Sequence, residues 1–251
     1  MTRFVHLHTH SHYSLLNALP KIDELVGEAK KLGMKELALT DNGNMYGAIE
    51  FYKYCKKKEI KPIIGVDFYV SARSRKDMQA GIDNRRSRLV LLATNETGYK
   101  NLLKLVTASQ LEGFYYKPRI DRELIERLNE GLIAISPSFS GEIAQLLKSR
   151  NQDKADDAAA FFKKVFGDRL YIEITRHEEI EGHNENMKTL VAFARKQNIP
   201  IVAAHDVYYL HSEDRLARET LIKVNSHGEA GDSNSSDDED DFSFISTERA
   251  E

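Results

Sequence analysis

Seven short apolar runs alternate with stretches of helical period along this chain, and that alternation limits the fold more than any other feature. The runs are FVHLH (4–8), ELALT (36–40), KPIIGVDFYV (61–70), RLVLLAT (88–94), GLIAIS (131–136), RLYIEIT (169–175) and PIVAAH (200–205). Helices are expected between them, over 22–32, 45–58, 98–110, 121–129, 141–148, 154–166, 184–197 and 213–224. In the first of these Ile22, Leu25, Val26 and Ala29 share one face and Gly33 follows as a C-cap, while Asp121 stands where the fourth needs an N-cap. Strand and helix in alternation are the signature of βα units around a parallel sheet or barrel. Residues 71–87 carry Arg73, Arg75, Lys76, Arg85 and Arg86 without apolar periodicity. They read as an exposed basic loop, with the flanking strands either antiparallel neighbours or barrel strands separated by an insertion.

A chain of 251 residues, 41% of them hydrophobic, can bury a full core. No run reaches the ~18 apolar residues of a membrane span, and Thr2-Arg3 and histidines stand where a signal peptide would be apolar. The expectation is a cytoplasmic protein with no membrane contact. The one cysteine, Cys55, excludes an internal disulfide and reads as an ordinary helix residue. The net charge of −3 hides a division, because residues 228–251 hold nine acidic and one basic side chain and the rest carries 35 basic against 30 acidic. We therefore divide the chain into a domain over 1–225, an acidic flexible linker over 226–241, and the start of a following element over 242–251.

The chemistry begins at the N-terminus, where His6, His8, His10 and His12 alternate with Leu7, Thr9 and Ser11. In an extended strand all four imidazoles would point to one side, a metal-binding geometry, and no consecutive histidines suggest a tag. In a βα barrel, site residues come from the C-terminal strand ends. Those ends carry His8 and His10, Asp41-Asn42, Asp67, Ser136 to Ser138, Glu173 and His205-Asp206. Asp41 is as readily a turn former as a ligand. A carboxylate flanked by Val66 and Phe68 needs a metal or cation unless it faces outward, so Asp67 is a candidate. Glu173 reads as a supporting or structural group, and His177, His183, His211 and His227 as solvated surface residues.

The segments HLHTHSHYSLLNAL, ALTDNGNMYGAIEFYKYCKKKEIKPIIGVDFYV, LLATNETGYKNLLKLVTASQLEGFYYKPRIDRELI, NEGLIAIS and IPIVAAHDVYYL, in this order, resemble the N-terminal PHP (polymerase and histidinol phosphatase) domains of bacterial replicative DNA polymerase III α subunits. The resemblance covers roughly residues 3 to 250 and implies a distorted seven-stranded (β/α) barrel, TIM-barrel-like. Metal-bound members of the family hold a trinuclear cluster, and the resemblance places its ligands at His8, His10, Asn17, Asn42, Asp67, Arg88, Ser138, Asp206 and Tyr208. Only His8, His10 and Asp206 keep the family's donor, with Asp67 as a shortened acid. The implied site is thus degraded, holding at most one divalent metal (Zn, Mn or Mg) weakly rather than three. Arg88 would act as a fixed cation on Asp67, Asp206 or both. The implied role is a structural or subunit-contact domain of a DNA polymerase, with the polymerase core downstream, other replicase subunits and DNA, through backbone contacts, as partners. The rival is an active phosphoesterase or 3′–5′ exonuclease using His6, His12 and His205 as substitute donors. A third reading, a DNA-contact module on the basic loop 73–86, is compatible with the first.

Overall fold

The computed structural model describes residues 4–177, 179–226 and 241–250. Residues 227–240 of the expected linker, and His227 with them, lie outside the described residues. One curled, mixed sheet forms the centre, built from β1 (Glu36–Leu39), β2 (Lys61–Ser71), β3 (Arg86–Ala93), β4 (Phe114–Tyr115), β5 (Lys117–Ile120), β6 (Leu132–Ser136), β7 (Leu170–Ile174) and β8 (Ile201–Ala203). The helices are α1 (Ile22–Lys31), α2 (Ala48–Lys58), α3 (Glu96–Leu111), α4 (Arg122–Arg127), α5 (Glu142–Lys148), α6 (Gln152–Phe166), α7 (His183–Gln197), α8 (Arg215–Ser226) and α9 (Thr247–Ala250). The α/β class and the barrel-like curl expected above are therefore present, with two differences in how the sheet is made.

The first departs from an all-parallel barrel and takes the antiparallel alternative left open above: β3 runs antiparallel to both β2 and β6, while β1–β2, β2–β5, β6–β7 and β7–β8 are parallel. The 71–87 connection thus turns the chain back on itself instead of inserting into a crossover. The second is the expected strand at 4–8, which is not a regular strand. Instead, Ala38 N–H donates to His6 O at 3.0 Å on one side, and Val207 N–H donates to His8 O at 3.1 Å on the other. Just beyond this segment Thr9 and Val207 pair as an isolated parallel bridge. The histidine segment therefore lies between β1 and the chain after β8, joining the two ends of the curl. The backbone bends at His8 and turns at His12, and the four imidazoles part: His8 and His10 face Asp67, His6 donates to Ile245 O and His12 packs on Tyr13.

Helix burial follows the sequence pattern. Ile22, Leu25, Val26 and Ala29 of α1 pack with Leu37, Phe51 and Cys55, and Asp121 caps α4 by accepting from Leu124 N–H. The thiol of Cys55 is buried and pushed up to about 12, an inert side chain as expected. Farther along the same face of the sheet α3, α6 and α7 cover Val66, Phe68, Leu89, Leu91 and Ile172, while Ala38, Val90, Leu92 and Ile135 pack on the opposite, inner face. The β4–β5 hairpin was not expected, since its strands are too short for a period to register.

The basic loop is not the free surface its composition suggested. Arg75 is 4% exposed and bonds Asp121, Glu112 and Glu123 at 3.0, 2.7 and 3.1 Å, and Arg73 bonds Asp83 at 2.6 Å. Arg119, wholly buried, donates to the carbonyls of Gly113, Arg75, Asp77 and Asp83. Inward-pointing arginines thus pin the loop and the hairpin to the body. A phosphate would have to compete with these carboxylates for Arg73 and Arg75.

Residues 241–250 pack on the same body. Tyr208 N–H donates to Phe242 O and Phe244 N–H to Leu210 O, and Phe244 and Ile245 are buried. No described helix is long and apolar enough to cross a membrane.

Candidate functional site

His8 is the hub. Its Nε2 lies 3.1 Å from Asp67 Oδ2, its Nδ1 lies 2.9 Å from Glu173 Oε2, and Asp206 contacts the same Nδ1. All of these side chains are buried. With carboxylates at both ring nitrogens the imidazole must donate twice, which requires the imidazolium. Burial opposes that charge, yet Asp206, Glu173 and Asp67 hold the His8 pKa well above its ordinary value. Burial likewise opposes the charge of Asp206, and His8 keeps its carboxyl low.

Asp67 is placed by β2, in register with Val90 of β3, two residues from Arg88. Arg88 Nε donates to Asp67 Oδ1 at 3.0 Å and Nη2 donates to Oδ2, while Nη2 also donates to Asn42 Oδ1. Its guanidinium lies 4.2 Å from the centre of the Tyr69 ring. Despite burial, Arg88 and His8 hold the Asp67 carboxyl well below the usual range. Arg88 thus binds Asp67 through both oxygens, and no bond joins it to Asp206 among the described contacts.

His10 is different. Its Nδ1 donates to Val207 O at 3.0 Å, and its ring stacks on Tyr208 at 4.2 Å and 7°. Burial lowers its pKa, so Nε2 carries a lone pair that faces Asp67 Oδ2 at 3.4 Å. Two acceptors in that position call for a proton or a cation between them.

The supporting groups come from other elements. Glu173 on β7 accepts from Ser138 N–H at 3.0 Å and Ser138 Oγ at 3.2 Å, which orients it toward His8. Asp41 accepts from Ser11 N–H, Ser11 Oγ and Ser14 Oγ at 2.7, 2.8 and 2.6 Å, so it clamps the histidine turn. The structure brings His8, His10, Asp67 and Asp206 into one cluster and adds Glu173, which the sequence placed only as support. A Glu on a strand with apolar neighbours was the available signal.

Several other placements differ from expectation. His177 and His183 are 1% and 2% exposed, not solvated; they are buried with Phe139 beneath Phe242. His6 donates to Ile245 O and packs on Phe244, and His12 packs on Tyr13, so neither joins the His8 cluster. Asn17 meets Arg218 through its carbonyl.

Among the described residues, donor sets of three within 4.8 Å are His8, His10, Asp67 and His8, Glu173, Asp206. Both share His8, whose two nitrogens already face carboxylates, and Arg88 occupies Asp67. The lone pair of His10 Nε2 beside Asp67 is a position a cation could take, whereas the nitrogens of His8 already face carboxylates.

Residues 6–177 match the family described as PHP domain. The chain is 42% identical over 234 residues to the DNA polymerase III subunit alpha of Borreliella burgdorferi, covering 93% of this chain and 20% of that one. It is 40% identical over 227 residues to the subunit of the same name from Aquifex aeolicus, covering 88% and 20%. The chain spans about a fifth of the length of these relatives. Among solved structures it is similar to a protein from Bifidobacterium adolescentis that carries the name metal-dependent phosphoesterase, with TM-score 0.56, 11% identity and 82% and 88% coverage. An amidohydrolase from Chromobacterium violaceum follows at TM-score 0.51 and 14% identity, covering 81% of this chain and 87% of that one.

Proposed function

We propose, because the chain belongs to the PHP domain family, that it forms the N-terminal PHP domain of a bacterial replicative DNA polymerase III α subunit and acts there as a structural and subunit-contact domain. The observation that carries this reading is Arg88, whose guanidinium holds both oxygens of Asp67 while His8 is shared by three carboxylates. Fixed protein cations neutralise a pocket that would otherwise need ions, and hydrolysis of a phosphate ester by several ions needs open donors that these residues do not offer. The downstream polymerase core, other replicase subunits and the backbone of DNA are the partners of such a domain, in the cytoplasm.

A lesser reading within the same site has its own support. The lone pair of His10 Nε2 against Asp67 Oδ2 favours a single divalent ion (Zn, Mn or Mg), weakly held by His10 and Asp67, which His8 could join only on losing a proton from Nε2. Such an ion would supply charge neutralisation at Asp67.

The test is hydrolysis of a phosphate diester by the purified chain in turn with Zn2+, Mn2+ and Mg2+. No turnover above the buffer control is expected. Turnover that disappears in His10→Ala, together with three tightly held ions per chain, would establish the phosphoesterase instead.

A further inference from the structure

A second group of buried histidines lies outside the His8 cluster, and the paired charges make no use of it. His177 and His205 follow β7 and β8, are 1% and 6% exposed, and have ring centroids 5.2 Å apart with planes 18° from parallel. One nitrogen of each ring is already committed. His177 Nδ1 donates to Glu179 Oε1 at 3.2 Å, and His205 donates to the backbone carbonyl of Ser243. An imidazole that donates from one nitrogen carries its lone pair on the other, and both Nε2 atoms are buried without any hydrogen-bond partner. Buried acceptors without a donor call for a physical cause.

The neighbours of the pair narrow that cause. His183 turns its Nε2 to Thr175 O at 3.0 Å and is committed there. His6 lies 6.4 Å from His205, ring to ring, and donates to Ile245 O. A carboxylate behind one ring and a carbonyl behind the other reproduce the outer hydrogen bonds by which proteins aim imidazole lone pairs at a metal. Two imidazoles bound tetrahedrally to one ion at ~2.0–2.1 Å would have ring centroids about 5 Å apart, which agrees with the separation found here.

We propose that His177 and His205 form a two-imidazole site for a divalent first-row transition ion, of which Zn2+ is the representative. Sets of three protein donors within 4.8 Å occur only around His8 among the described residues, so this site takes two ligands from the protein and the others from water. A cavity of about 280 Å³, lined by His205, Glu179 and Asp241 together with Arg176 and Arg249, opens beside the His205 ring. Imidazole without thiolate or clustered carboxylate selects Zn2+, Ni2+ or Cu2+ over Mg2+. The site also bears on residues 241–250, since Glu179 accepts from Asp241 N–H at 3.1 Å as well as from His177. An ion there fastens that segment to the rim of the sheet.

The experiment uses the full chain stripped with chelator and titrated with Zn2+, with Mg2+ as the control. His8→Gln/His10→Gln serves as background, so that the first site cannot contribute. One Zn2+ is expected to bind in that background, weakened at least about tenfold by His177→Gln or His205→Gln, and about tenfold by Glu179→Ala, which keeps both ligands. Should the background variant fail to fold, ring 15N shifts of the unmodified chain give the same answer, with His177 and His205 Nε2 moving on Zn2+ addition and not on Mg2+ addition. Unmoved resonances, or equal Zn2+ affinity after His205→Gln, would show that water alone satisfies the two nitrogens. Such a result leaves the reading of the first site intact, because that rests on Arg88 and is tested separately by hydrolysis.

Discussion

Arg88→Ala is expected to destabilise the fold by about 3–5 kcal/mol, the cost of leaving a buried carboxylate without its charged partner. The Arg88 side chain is 13% exposed and that of Asp67 1%, so solvent cannot replace the guanidinium. His8 offers little compensation, since Glu173 and Asp206 already share it. A double variant distinguishes the lost pair from lost packing. Arg88→Ala with Asp67→Asn removes the charge along with its partner and should recover a large part of the loss, as deleting a whole buried pair costs less than breaking it. Arg88→Lys should recover less than the parent interaction, because an ammonium cannot bond both oxygens in the same planar fork. Urea unfolding at pH 7 with chelator measures all three. A loss under about 0.5 kcal/mol for Arg88→Ala is what a solvated arginine would give, and would remove the central support for a protein cation in the site.

Acid is expected to weaken the fold steeply between pH 6.5 and 4, well before ordinary carboxylates titrate. Burial pushes His6 and His205 from 6.5 to about 4. In that window the unfolded chain takes up a proton at each and the folded chain does not, so stability falls as pH falls. A shift of this size corresponds to roughly 3 kcal/mol for each group. Burial lowers His10 and His183 in the same sense. His8 acts oppositely, for its raised pKa contributes stability that is full below pH 6.5 and is lost as pH rises through the folded value. Stability should therefore peak near neutrality, with the depressed Asp67 and Asp206 adding a further loss only below pH 3.8. Urea midpoints from pH 4 to 9 in chelator test this, and His6→Gln with His205→Gln should flatten the acid limb. A midpoint unchanged from pH 6.5 to 4.5 would mean that these rings are hydrated in solution.

The elements were legible in the sequence because they depend on local periodicity. The face of α1, the cap at Asp121 and the strands around Asp67 all follow from spacings of two to four residues. His8, His10 and Asp206 were legible as candidates for the same reason, each a polar group at the end of an apolar run, and Asp67 as a carboxylate inside one. Arg88 was legible through the resemblance, which set an arginine where a donor was expected beside Asp67. Charge composition misled where its direction mattered. The arginines of 71–87 suggested an outward basic surface, yet Arg73 and Arg75 bond carboxylates of this chain, three of them more than 30 residues away from Arg75.

Sequence by itself determined most of the strands and helices, the segment 4–8 and the β4–β5 hairpin being the exceptions, and which residues could bring charge or lone pairs to the site. Only the tertiary structure decided which of them meet. His8 and Glu173 are 165 positions apart and come into contact because the curled sheet brings the N-terminal segment beside β7 and the chain after β8. The burial of His177 and His205 depends on that closure and on Phe242 lying across the rim. Local spacing constrains a side chain's direction along its own element, whereas burial and charge pairing depend on which distant element covers it.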